Sequence, residues 1–200
     1  MLKFVKPLIC KLSKAYAKQK EGVAAIEFAL IAPIMITFYF GVSELSVLIA
    51  TDRDVAHAAS VAGDLATQSE TLAQADVETI MEAALTVANV DSDNVNSLSV
   101  ELNSFELDAN NQLNQVGHAL MGSAISSGAF NPSEIPASMT TGSSGVVVAR
   151  VDFKYQPLIA DFLLSELVLH ETFYLKPRKS LSIPFEREFK CNASGGSVSC

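Results

Sequence analysis

The chain has 200 residues, 49% of them hydrophobic and 18% charged, and carries a net charge of −8. That length suits one compact domain plus an anchor and is too short for two ordinary domains, and the mean hydropathy of +0.29 fits a partly membrane-embedded protein better than a freely soluble one. Acids crowd residues 51–149, where Arg53 is the sole base, so this surface repels phosphate backbones and argues against nucleic acid as a partner.

The chain opens with Lys3, Lys6, Lys11, Lys14, Lys18 and Lys20 and no acid before Glu21. Basic residues beside a span stay in the cytoplasm. Residues 1–22 therefore read as a basic cytoplasmic leader, with Cys10 kept reduced inside it. Phe28–Val42 carries no charge, Glu44 interrupts, and Leu45–Ala50 is apolar again. Taken as residues 23–50, a transmembrane helix is about 42 Å long, more than a hydrocarbon core of ~30 Å requires. Pro33 is tolerated in a span when neighbouring groups satisfy the carbonyl it frees. A secretory signal peptide competes for this segment. The apolar run is longer than a usual signal core and continues without a polar break into further helical pattern, which favours an anchor.

Residues 51–90 read as a helical segment outside the membrane. Val55, Ala58, Ala59, Ala62, Leu65 and Ala66 recur at helical spacing. Their small size allows close packing, either in the domain's own core or against a partner helix. After a polar break at Gln68–Gln74, Val77, Ile80, Met81, Ala84, Leu85 and Ala88 form a second amphipathic set. Asp76 marks its expected start, with Glu78 and Glu82 on the wet face.

Residues 91–200 read as a small β-rich domain with an antiparallel sheet, which makes the fold class α+β. Leu98–Leu102 alternates, with Phe105 and Leu107 following, and Val116–Met121 is a weaker strand. Gly145–Tyr155 is the clearest strand, with Val147, Ala149, Val151, Phe153 and Tyr155 on one face. Leu158–Leu169 suggests a short helix, and Thr172–Lys176 and Ser180–Phe185 a final strand or hairpin around Pro177. Ser126–Ser144, rich in Ser, Gly, Pro and Thr, reads as a surface loop. Cys191 and Cys200 close the chain across a flexible run. Their pairing in an oxidising compartment would stabilise by about 2–3 kcal/mol, and two free thiols are the alternative. His57, His118 and His170 lack ligand spacing, and with no CxxC pair a metal site is not expected.

The informative stretch runs from Glu21 and Gly22 through Val23, Ala24, Ala25 and Ile26 to Glu27 and Phe28. A glycine before a scissile bond lets the backbone enter a protease cleft unobstructed. A carboxylate buried in lipid favours pairing, but Glu27 and Glu44 are about 26 Å apart along a helix, so each could also reach water at a membrane interface. The residues Gly22–Pro33, Phe40–Glu44 and Ala56–Ala62 together resemble the TadE-like signature: small residues, Glu27-Phe28, Pro33, an apolar run, Phe40-Gly41, a second glutamate Glu44 and an alanine-rich helix. Ser144–Pro157 is loosely similar to the Val-rich strand and Tyr-x-Pro of family members.

The resemblance implies a pseudopilin-like component of Flp/Tad pilus assembly or related secretion. It would be cleaved by a prepilin peptidase between Gly22 and Val23, leaving Glu27 to pair with the N-terminal amine of a neighbouring subunit. Glu21 stands where such sites usually carry a base. The expected partners are the inner membrane, other pseudopilins, the Tad machinery and the peptidase, with no cofactor, small-molecule substrate or catalysis. The expected location is the bacterial inner membrane, N-terminus cytoplasmic, remainder periplasmic. A signal-anchored periplasmic binding or sensing module is the competing function. A membrane-tethered hydrolase would require converging Ser, His and Asp groups that the sequence does not reveal.

Overall fold

A computed structural model of the chain describes residues 21–90, 95–108, 112–123, 130–141, 144–157, 167–194 and 197–200. The lysine-rich leader with Cys10 lies outside the described residues. So does the greater part of the expected helix at Leu158–Leu169. Two compact units divide the chain, Met1–Leu45 and Ser46–Cys200.

One helix, α1 (Glu21–Thr67), begins in the first unit and ends in the second. It contains Pro33, which has no N–H to give to the carbonyl four residues back. One turn later Thr37 Oγ1 donates to the Pro33 carbonyl at 2.8 Å, and Thr51 Oγ1 donates to the Val47 carbonyl at 3.1 Å. Hydroxyls in apolar helices are satisfied in this way without water.

In the second unit the alanine stripe of α1 faces the protein's own core. Val55, Ala58, Ala59, Ala62 and Ala66 are fully buried. At Gly63 a Cβ would collide with the side chains of Leu175 and Ala149, so the helix lies against the sheet as closely as its backbone permits. The second helix, α2 (Gln74–Val87), buries Val77, Ile80, Met81, Ala84 and Leu85. It starts two residues before Asp76, whose carboxylate accepts the Ala73 N–H at 3.1 Å and so satisfies a donor just ahead of the first turn.

The sheet contains β1 (Leu98–Leu107), β2 (Leu113–Met121), β3 (Val146–Tyr155), β4 (Leu167–Leu175), β5 (Phe189–Ser194) and β6 (Ser197–Ser199) in the order β4-β3-β1-β2-β5-β6. The α+β class is borne out. The sheet is mixed, however, because β5 runs parallel to β2, while the other neighbours are antiparallel. A bulge at β2 leaves Val116 between Gln115 and Gly117 opposite Ser104 and Phe105. The Val116 carbonyl accepts the Phe185 N–H at 3.2 Å, and the Phe185 ring occupies the space a Cβ on Gly117 would take.

Four local expectations are corrected. Leu167–Leu169 belongs to β4 rather than to a helix. Ser180–Phe185 forms no strand, and only Phe185 bridges to Leu72; Pro177 before the run and Pro184 within it lack the N–H a ladder needs. The terminal strands are instead β5, which runs into the stretch expected to be flexible, and β6, which lies within it. Finally, β3 buries both faces: Val147, Ala149 and Val151 join the core beneath the helices, while Val146 and Val148 pack with Phe105, Leu107, Phe130 and Ile135 on the other side. The Ser/Pro-rich loop thus covers part of the far face as well as meeting solvent.

Candidate functional site

Along α1 from Val23 to Phe40 the large apolar side chains point outward on every side, and they remain exposed up to Ile49 except at Leu48, which packs against the core. Phe28 is 71% exposed and Tyr39 likewise 71%, and Ile26, Leu30, Ile34, Phe38 and Leu45 are all more than half exposed. In water such a surface is unfavourable, at roughly 25 cal/mol per Å² of apolar area. A helix apolar all round is a buried or membrane-spanning one. Among the described residues α1 is the helix long and apolar enough to cross a membrane.

The signature residues lie along this surface. Gly22 and Val23 occupy the first turn of α1 and are exposed, with open space where a Gly22 Cβ would stand. Glu27 and Pro33 are exposed as well. Phe40 stacks edge-on with Tyr39 at 5.7 Å, and Gly41 has open space at its Cβ position. Glu44 differs from Glu27, for it is only 2% exposed. The expectation that both carboxylates reach water therefore fails at Glu44.

Cys191 and Cys200 form a disulfide, as expected from their spacing. It closes the β5–β6 hairpin against α2. Glu82 Oε1 accepts the Val198 N–H at 3.0 Å and Glu78 Oε1 accepts the Cys200 N–H at 2.9 Å. Gln74 Nε2 donates to the Cys200 carbonyl and to Glu78, both at 2.9 Å. Glu78 and Glu82 are thus only half exposed and hold the C-terminal hairpin, a correction to their placement on the wet face. The hydrogen bonds from Gln74 and from the Cys200 backbone hold the Glu78 carboxyl below its ordinary pKa.

Sequence reasoning missed a row of charge across the far face of the sheet. His118 Nε2 on β2 stands 3.4 Å from Glu101 on β1, Arg150 on β3 lies 3.6 Å from Glu101 and 3.5 Å from Asp152, and Asp152 pairs with His170 Nδ1 on β4. The Arg150 and Asp152 side chains are only 11% and 6% exposed. Burial pushes the Glu101 carboxyl up, yet His118, Asn103, the Phe130 N–H and Arg150 together hold it below its ordinary value. The signal was present in β3, since placing Val147, Ala149 and Val151 on one face leaves Arg150 and Asp152 on the other.

At the end of this row Thr172 Oγ1 lies 3.3 Å from His170 Nε2. An aspartate, a histidine and a hydroxyl therefore do converge, contrary to the sequence reading. They sit on a strand surface outside the clefts lined by Asp54 and by Gln115, and acyl transfer also needs donors at a developing oxyanion. His57 is exposed on α1, and no group of three metal-ligating side chains converges among the described residues.

No curated protein and no solved structure matches the chain. The model of a protein family does match: residues 22–64, the exposed apolar stretch of α1 together with most of its alanine stripe, form a TadE-like segment, matching the family described as TadE-like protein.

Proposed function

We propose that the chain is a pseudopilin-type component of a Tad/Flp pilus assembly or secretion system that acts through helix contacts in the inner membrane and surface contacts outside it. The observation that carries this reading is the continuity of α1. The TadE-like segment starts as an all-round apolar surface and ends as a stripe buried in a folded domain. Such a helix couples a bilayer-embedded rod to a domain on one side, which is the architecture an assembly subunit needs. The basic leader supports an N-terminus in the cytoplasm, and the Cys191–Cys200 disulfide supports an oxidising compartment for the remainder.

In this reading a prepilin peptidase cuts between Gly22 and Val23. Glu27, exposed among Ile26, Phe28 and Leu30, then faces lipid and pairs with the new amine of a neighbouring subunit, because an isolated carboxylate there is costly. The reading includes no catalysis, cofactor or nucleic acid. Deletion of the gene should abolish pilus assembly or the linked secretion, and normal pili in the deletion strain would reject the proposal. Mass spectrometry of the native protein should give a mature N-terminus at Val23. A Gly22→Lys variant should retain Met1 or a leader-length form, and unchanged processing of that variant would remove the peptidase from the account.

A further inference from the structure

We infer that Cys191 and Cys200 form a thiol–disulfide exchange site: Cys200 is the sulfur that meets a disulfide-bearing oxidant, Cys191 resolves the mixed disulfide, and closure latches β6 onto α2. The inference rests on the reading above that this end of the chain faces an oxidising compartment.

The two cysteines are held by different means. Cys191 sits in β5, 4% exposed and part of the core cluster. Its strand is fixed without the bridge. Phe189–Cys191 pair with Ala119–Met121 of β2, and the Cys191 carbonyl accepts the Gly122 N–H at 3.4 Å. Cys200 is half-exposed and follows β6, a strand of three residues at the end of the sheet. Among the described residues β6 pairs with β5 alone. Its other ties are side chains of α2: Glu82 at the Val198 N–H, Glu78 at the Cys200 N–H and Gln74 at the Cys200 carbonyl. So short an edge strand is the first element to open when the bridge is absent. Cys200 then moves with β6, while Cys191 stays in place.

The chemistry follows from that asymmetry, because exchange depends on access to the attacked sulfur and on the ease with which a thiolate departs. With β6 open, the Cys200 thiolate attacks one sulfur of the oxidant's disulfide and expels the other as a thiolate. The Cys191 thiolate then attacks Cys200 Sγ, the Cys191–Cys200 bond forms, and the oxidant's second thiolate leaves. Two electrons pass to the oxidant, whose disulfide becomes two thiols by taking up the protons the cysteines release. Reopening is harder than closing. A reductant gains access at Cys200, so Cys191 must leave as a thiolate into apolar surroundings that disfavour it. Glu78 Oε1, 2.9 Å from the Cys200 nitrogen, also repels an incoming thiolate. Its carboxyl is charged at neutral pH, held below its ordinary pKa by Gln74 and the Cys200 N–H. The latch closes readily and reopens slowly, which suits a domain completed after its chain has crossed the membrane.

The test uses the full-length protein in detergent on a Cys10→Ser background, with oxidised glutathione as the oxidant probe and intact-mass spectrometry as the readout. Cys191→Ser leaves Cys200 alone and should form the glutathione mixed disulfide about tenfold faster than Cys200→Ser, which leaves Cys191. Amide exchange in β1 and β3 checks that both variants are folded. Equal rates in the two folded variants, or a faster Cys191, would overturn the assignment of the sulfurs. With both cysteines present, reduction by dithiothreitol should speed amide exchange at Val198 and Cys200 while β1 and β3 keep their protection. Loss of protection throughout the sheet would overturn the latch. Glu78→Gln should speed that reduction about threefold, and an unchanged rate would remove Glu78 from the device. Acid-quenched cells, alkylated before lysis, separate the premises: a fully reduced chain there would overturn the oxidising compartment, whereas the paired variants report on the sulfurs alone.

Discussion

The two ends of α1 obey opposite rules with nearly the same residues. From Val23 to Phe40 large apolar side chains are exposed on all sides, whereas from Val55 to Ala66 small ones are fully buried on a single stripe. Among the described residues the large apolar side chains of the first stretch are mostly left exposed, a surface that suits an apolar solvent. The second has its partner in the sheet, with Gly63 against Ala149 and Leu175. Hydrophobicity alone therefore does not identify a membrane segment. Side-chain size and periodicity decide which apolar helix is anchor and which is core.

The comparison predicts that changes in the domain cost stability and that changes in the anchor do not. The largest effect is expected at Arg150. Arg150→Met leaves Glu101 and Asp152 buried without their common cation and should lower the unfolding free energy by about 3–5 kcal/mol, read by chemical denaturation. Breaking the disulfide with Cys191→Ser and Cys200→Ser should cost about 2–3 kcal/mol. It should also free the β6 amides from Glu78 and Glu82, visible as faster amide exchange at Val198 and Cys200. Gly63→Val should cost about 1–3 kcal/mol by overpacking the helix against the sheet, whereas Gly41→Ala, with open space at its Cβ position, should leave the thermal midpoint unchanged.

The acid dependence should be smaller and should have a definite sign. The carboxyls of Glu78 and Glu101 are both held below their ordinary pKa in the folded protein. Their contribution is thus complete above the ordinary carboxylate pKa and is lost as pH falls through the lower folded values. Thermal midpoints of the wild type should drop over that window, and Glu101→Gln should flatten part of the drop while lowering stability at neutral pH. The smallest effect is expected at Glu27. Glu27→Gln should alter domain stability by less than about 0.5 kcal/mol, as for other exposed positions, while still impairing filament assembly.

Much of this contrast was legible in the order of residues. The uncharged run Phe28–Val42 identified the helix long and apolar enough to cross a membrane, the alanine spacing at 55–66 identified a packing stripe, and the alternation of Gly145–Tyr155 identified β3. The Gly22–Glu44 pattern also pointed to the TadE-like family. What escaped depends on partners distant in the chain. Glu78 and Glu82 look solvated until β6 arrives more than a hundred residues later. The charged row needs the register that sets Glu101 opposite Arg150 and Asp152 opposite His170. The parallel pairing of β5 with β2 follows from a long return past Pro177 and Pro184, which no local pattern encodes.

The most direct test is a spin-label walk along α1 in lipid nanodiscs, with the accessibility of each label to oxygen and to a water-soluble nickel chelate measured on a Cys10→Ser background. Labels at Ile34, Met35 and Ile36, which point in different directions around one turn, should all be reached by oxygen and shielded from the chelate, while a label at His57 should show the reverse. Access of the chelate to any of the three positions would contradict a bilayer-embedded first half of the helix, and with it the division of α1 into anchor and core.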